Sequence, residues 1–232
     1  MKEISEIDTK KAVSALFGDK KEKRHKLDYL QQIWDTVAQT MGYSNYQADD
    51  LARKYMNYFS SRREEFYPEL KDNPNKGLLV MGDVGTGKST NFKIYQRIYN
   101  KICTRIEGTE RILPPMHTAN DDTFHFVHVK RIEHDLRIEG EESIQRLVKI
   151  KKLVIDDLGV DADDLKDYGT SRNPVIDVIN HRYEKMYQEG LVTHFTTNLN
   201  GPELKKKYGD RNIDRLKEMT ITIGVKGESK RV

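Results

Sequence analysis

The stretch 81-MGDVGTGKST-90 decides the fold. It contains Gly82-x-x-x-x-Gly87-Lys88-Ser89, the spacing of a phosphate-binding loop. Glycines let a backbone curl until successive N–H groups point at one spot, and that spot attracts an anion. A helix opening at Lys88 adds the positive end of its dipole there. Gly82, Asp83, Val84, Gly85, Thr86, Gly87, Lys88, Ser89 and Thr90 are therefore the expected wall of a nucleotide phosphate site. Lys88 would reach the β- and γ-phosphates, and the Ser89 hydroxyl would bind Mg²⁺. The plainer alternative is a bare glycine-rich turn. The apolar run entering the loop and the helical pattern leaving it favour the phosphate site.

Outward from the loop, short apolar runs alternate with helical patterns. Candidate strands are 77-GLLVM-81, 124-FHFVHV-129, 152-KLVID-156, 191-LVTHFTT-197 and 220-TITIGV-225. Helices are expected around 88–102, 130–148, 174–188 and 202–218. This alternation predicts an α/β chain with a mostly parallel sheet covered by helices.

Upstream, the pattern differs. Residues 1–26 are polar and end in the run 20-KKEKRHK-26, expected to be a mobile basic arm. Leu30, Ile33, Trp34, Val37, Ala38 and Met41 share one face of a helical period. Ser44 and Gln47 have capping-box spacing for a second helix striped by Leu51, Tyr55, Tyr58 and Phe59. The segment 68-PELKDNPNKG-77 reads as a linker. The expected division is a small helical N-terminal region, 1–72, that binds a partner, and a P-loop ATPase domain, 73–232.

The chain has 232 residues, 33% of them charged, and a net charge of +3. Mean hydropathy is −0.78. Cys103 is the single cysteine, so neither a disulfide framework nor a cysteine-rich zinc site is available. No apolar run reaches the length of a membrane helix, and the N-terminus has no signal-peptide pattern. A cytoplasmic protein without membrane contact is expected. The mild basicity permits nucleic-acid contact without arguing for it.

A second element is 152-KLVIDDLG-159. In an NTPase, Asp156 would hold Mg²⁺ through water and Asp157 would polarise the attacking water. A buried strand ending at a surface turn is the alternative, weakened by the loop upstream. The same acids match the D-x-x-G of GTPases, but no guanine-reading N-K-x-D follows residue 159. The next strand ends instead in 195-FTTNLN-200, whose Asn198 is placed to orient the lytic water. Near the C-terminus, 208-YGDRNIDRLKEM-219 sets Arg211 and Arg215 on one helix face. They are either arginines offered to a neighbouring subunit's γ-phosphate or partners of Asp210 and Asp214 in surface ion pairs.

Taken with 173-NPVIDVINHRYE-184 and 227-GESKR-231, these motifs resemble the DnaC/IstB/DnaI branch of AAA+ ATPases, helicase loaders and transposition helpers. The resemblance covers about residues 73–232 and implies an AAA+/ASCE fold without the C-terminal helical lid. It implies ATP and Mg²⁺ as cofactors, with Lys88 and Ser89 as Walker A contacts and Asp156 and Asp157 as the Walker B pair. By the same likeness Asn198 is the sensor, Arg215 the arginine finger, and Arg211 its neighbour one turn earlier. Implied partners are a hexameric replicative helicase or a transposase, single-stranded DNA, and further copies of the chain through the ATP site. The sequence departs from the usual G-K-T-H-L at Gly87-Lys88-Ser89-Thr90-Asn91-Phe92, and the long polar connection 101–122 is unusual. A small-molecule kinase remains a third reading, with 103–123 as its lid. His125 and His128 read as structural, and the runs 149–152 and 205–207 as solvated faces or a DNA-facing surface.

Overall fold

The computed structural model describes residues 25–43, 46, 48–60, 63–106, 124–162, 165–167 and 170–227. Residues 1–24 of the expected basic arm, residues 107–123 and the terminal 228–232 lie outside the described residues, while His25 and Lys26 are helical. Helices α1 (His25–Thr40), α2 (Asp50–Phe59), α3 (Arg63–Phe66) and α4 (Glu69–Asp72) come first. Strand β1 (Gly77–Gly82) leads through the glycine loop into α5 (Lys88–Ile106). Then come β2 (Phe124–His128), α6 (Val129–Glu139), α7 (Glu141–Lys149) and β3 (Lys152–Leu158). A short pair, β4 (Leu165–Asp167) and β5 (Thr170–Arg172), precedes α8 (Pro174–Glu189) and β6 (Val192–Thr197). The last described elements are α9 (Gly201–Tyr208), α10 (Asp210–Met219) and β7 (Thr220–Val225).

Contacts divide the chain into two units. One comprises the described parts of Met1–Asp72 and Ser89–Asp122; the other comprises Asn73–Lys88 and Thr123–Val232. A boundary between them falls at Asp72/Asn73. The described residues 89–106 group with the N-terminal helices.

In the first unit the reason is aromatic packing. Tyr55 of α2 meets Phe92 of α5 edge-on at 4.6 Å, and Phe59 stacks on Tyr95 at 3.5 Å. Trp34 of α1, fully buried, donates its indole N–H to Asn91 Oδ1 at 3.0 Å, and Tyr46 donates to the same oxygen at 2.7 Å. The apolar stripes of α1 and α2 thus close on α5. Ser44 and Gln47, the expected capping box, lie outside the described residues. Helix α2 opens at Asp50 and is capped by Asp49, which accepts the Ala52 N–H.

In the second unit, β2-β3-β6-β1-β7 form one five-stranded sheet whose pairings are all parallel. One face carries Leu79, Leu153, Ile155 and Phe195, packed with apolar residues of α6 to α10. Two long helices expected from periodicity are each broken. Gly140, at φ 64°, separates α6 from α7, and Gly209, at φ 77°, separates α9 from α10. Helix α8 runs unbroken from an Asn173 cap, which accepts two main-chain N–H groups, to a left-handed Gly190. The β4–β5 pair was not expected from the sequence. After α10 the described chain closes in β7, with no further helix among the described residues.

Candidate functional site

In a parallel sheet, side chains that follow the carboxyl ends of neighbouring strands come together. Here β6 lies between β1 and β3. The glycine loop, the Asp156–Asp157 pair and Asn198 therefore converge on one edge.

The loop curls as its glycines allow: Gly85 and Gly87 have φ of 85° and 88°. Gly82 meets a second demand, because a Cβ there would stand 2.2 Å from the Val225 carbonyl oxygen. Thr86 donates to the Asp83 carbonyl at 2.9 Å and closes the loop on itself. Lys88 is buried at 4% exposure. Its ammonium donates to the Gly82 and Asp83 carbonyls, each at 2.7 Å, and to Asn198 Oδ1 at 2.8 Å. Ser89 and Thr90 follow in the first turn of α5, half-buried.

The acids sit on an irregular strand end. The β3–β6 register shifts between Ile155 and Leu158, and Asp157 adopts φ 59°. Left-handed backbone costs an aspartate about 1–3 kcal/mol and persists only where its surroundings hold it. Thr196 of β6 supplies part of that hold. Its hydroxyl donates to Asp156 Oδ1 at 2.6 Å and accepts the Asp157 N–H at 3.0 Å. Asp156 is buried; Asp157 is half-exposed.

His128 completes the group. Its Nδ1 accepts the Lys130 N–H at 3.1 Å, so Nε2 carries the proton and donates to Asp157 Oδ2 at 3.3 Å. The sequence reading set this histidine aside as structural. Only the pairing of β2 with β3, which puts His128 opposite Asp156, reveals its place.

Arg211 and Arg215 stand on α10, as the spacing required. Arg211 is exposed. Arg215 donates to Asn180 Oδ1 and lies over the Tyr183 ring, 5.0 Å from its centroid. The flanking acids pair with lysines instead: Asp210 with Lys205 at 2.7 Å and Asp214 with Lys217 at 3.0 Å. The surface ion pairs offered as the alternative for the arginines are thus not the ones formed. Among the described residues no cluster of three metal-ligating side chains occurs.

A five-stranded parallel sheet with a glycine loop after β1, an acid pair at the end of β3 and the intervening β6 ending at Asn198 is a P-loop fold of the AAA+ type. Solved structures with TM-scores above 0.5 share it. The DnaI crystal structure aligns over 78% of this chain and 88% of its own, at 20% identity and a TM-score of 0.51. A proposed primosome component from Streptococcus pyogenes serotype M3 aligns over 81% and 87%, at 19% identity and a TM-score of 0.51. The DnaC helicase loader aligns over 84% of this chain and 99% of its own, at 19% identity and a TM-score of 0.46. No protein-family model and no curated protein matches the sequence. At such identities the likeness is one of fold.

Proposed function

We propose that this chain binds and hydrolyses Mg-ATP and acts as a helicase-loader switch, binding a hexameric replicative helicase and placing it on single-stranded DNA. One observation carries the catalytic part: the buried Lys88 ammonium is hydrogen-bonded to Asn198, which directly follows β6, the strand between β1 and β3. A cation needs strong acceptors when removed from water. Among the acceptors of Lys88 are the Gly82, Asp83 and Asn198 oxygens, and a triphosphate would add charged ones. This supports the reading of Lys88 as a phosphate-binding residue.

When bound, ATP supplies the phosphoryl group and Mg²⁺ neutralises its developing charge. Lys88 and the loop N–H groups hold the phosphates, and Ser89 and Asp156 hold the metal. Asp157, steadied by His128, accepts the proton of the attacking water, which Asn198 orients. Arg215, with Arg211, reaches the nucleotide of the next copy of the chain. The helicase contact belongs to the N-terminal helices.

The test has three arms. Lys88→Ala is expected to abolish tight binding of a labelled ATP analogue. Asp157→Asn is expected to keep binding and lose single-turnover hydrolysis. Mixed with Arg215→Ala, which keeps an intact site, the Asp157→Asn protein is expected to restore activity at composite interfaces. Unchanged analogue affinity for Lys88→Ala would remove the nucleotide reading. Capture of a transposase in place of a helicase would move the partner to the transposition-helper class.

A further inference from the structure

Beyond the acid pair lies a second polar cluster. After β3 the chain turns through Gly159 and Val160 to Asp161, which is 5% exposed. Asp161 Oδ1 accepts the Tyr208 hydroxyl and the Gly159 N–H, the latter at 3.1 Å. The Tyr208 oxygen also accepts that N–H, at 2.8 Å. Asn173, the cap of α8, donates to Asp161 Oδ2 at 2.8 Å, and Lys207 donates to the Asp161 carbonyl at 2.7 Å. Burial and the charge of Asp161 push the Tyr208 phenol up, so it remains a donor.

A buried carboxylate is costly, and apolar packing would stabilise this junction at least as well. What hydrogen bonds add is fixed distance and direction. Gly159 lies two residues beyond Asp157, in the same irregular turn. Tyr208 closes α9, and its carbonyl accepts the Asn212 side-chain N–H of α10 at 2.7 Å. One side-chain step thus joins the turn that sets Asp157 to the helix bearing Arg211 and Arg215.

We propose that the Asp161–Tyr208 pair is a positioning device that ties the acid turn of each protomer to the arginine helix it presents to the next. This rests on the reading of Arg215 as a residue acting on a neighbouring copy. Neither side chain touches the reacting atoms. The pair sets the helix that does, so hydrolysis at one site depends on the acid turn of the protomer that supplies the arginine.

The experiment separates donor from recipient. Arg215→Ala protein serves as recipient, with an intact site. Asp157→Asn protein serves as donor, with an intact arginine. The double variant Asp157→Asn/Tyr208→Phe is the altered donor; it keeps the ring and loses only the hydroxyl. The altered donor is expected to bind the labelled ATP analogue within about twofold of the unaltered donor and to restore at least fivefold less hydrolysis to the recipient. Tyr208→Phe placed in the recipient instead is expected to change the restored rate less than twofold. Loss in a merely structural role would follow the variant into either partner. Equal restoration by both donors, or equal loss in both arrangements, overturns the proposal while leaving Arg215 in place. Failure of the unaltered pair to complement overturns the reading of Arg215 itself, and this proposal with it. If Tyr208→Phe does not fold, Asp161→Asn takes its place with the same outcomes.

Discussion

Single residues at the site edge differ in what they do for the backbone and for chemistry. His128 donates to Oδ2 of Asp157, the acid proposed to take the proton of the attacking water. Replacing it with alanine frees the acid to rotate. A hydrogen bond of this kind is worth about a factor of ten in rate. His128→Ala is therefore expected to keep ATP-analogue affinity and slow single-turnover hydrolysis about tenfold, with His128→Gln, whose amide donates, recovering part of it. Arg182 has a different role. It is fully buried, and its guanidinium donates to Thr193 Oγ1 and to the carbonyls of Leu147, Ile150 and Val192. Burial pushes it down to about 9, so it stays charged at neutral pH. It ties α8 to the end of α7 and the start of β6. Arg182→Leu leaves these oxygens without their donor and is expected to cost about 3 kcal/mol or more, read from urea denaturation, with little effect on the nucleotide affinity of folded protein.

At the scale of elements, the helix breaks matter most. Gly209 has φ 77° and ψ 162°, a region essentially reserved for glycine, with nothing near a substituted Cβ. The loss in Gly209→Ala is therefore backbone strain alone, about 1–3 kcal/mol, or a reorientation of α10. Denaturation measures the first. A fall in Arg215-dependent complementation, with the melting transition preserved, reports the second. These breaks also show what the sequence does and does not disclose. Strands β1, β2, β3, β6 and β7 were legible because each is a short apolar run between turn signals. Gly140 and Gly209 were not, because a glycine weighs only about 1 kcal/mol against a helix and the flanking periodicity covers it. The short, polar β4–β5 pair has no apolar alternation to announce it. The glycine loop and the acid pair were legible because their chemistry is local in sequence. The His128–Asp157 contact spans 29 residues and the Tyr208–Asp161 contact 47, so both needed strand register and helix packing to appear.

For the whole molecule, the grouping of α5 with the N-terminal helices bears on any attempt to isolate the ATPase part. A chain beginning at residue 73 keeps every side chain proposed to bind nucleotide but uncovers Phe92, Tyr95 and Tyr99 on α5, all buried in the intact chain. Exposed aromatic surface of this kind drives association. The truncated protein is expected to self-associate, with the loss seen in sedimentation and in weakened ATP-analogue binding. A monodisperse truncation with full affinity would show that the N-terminal helices dock on α5 without supporting it.

The indole of Trp34 turns this arrangement into an optical handle. The chain has one tryptophan, and its ring is sealed between α1 and α5, bonded to Asn91 and stacked near Tyr95. Its emission therefore reports one unit of the protein and is silent about the other. In the native protein it should be blue-shifted and poorly quenched by acrylamide. If the two units melt separately, the fluorescence transition and the far-ultraviolet dichroism transition will part company. Because Asn91 lies two residues beyond Ser89, nucleotide binding at the proposed site is expected to change that emission, without a label anywhere on the chain.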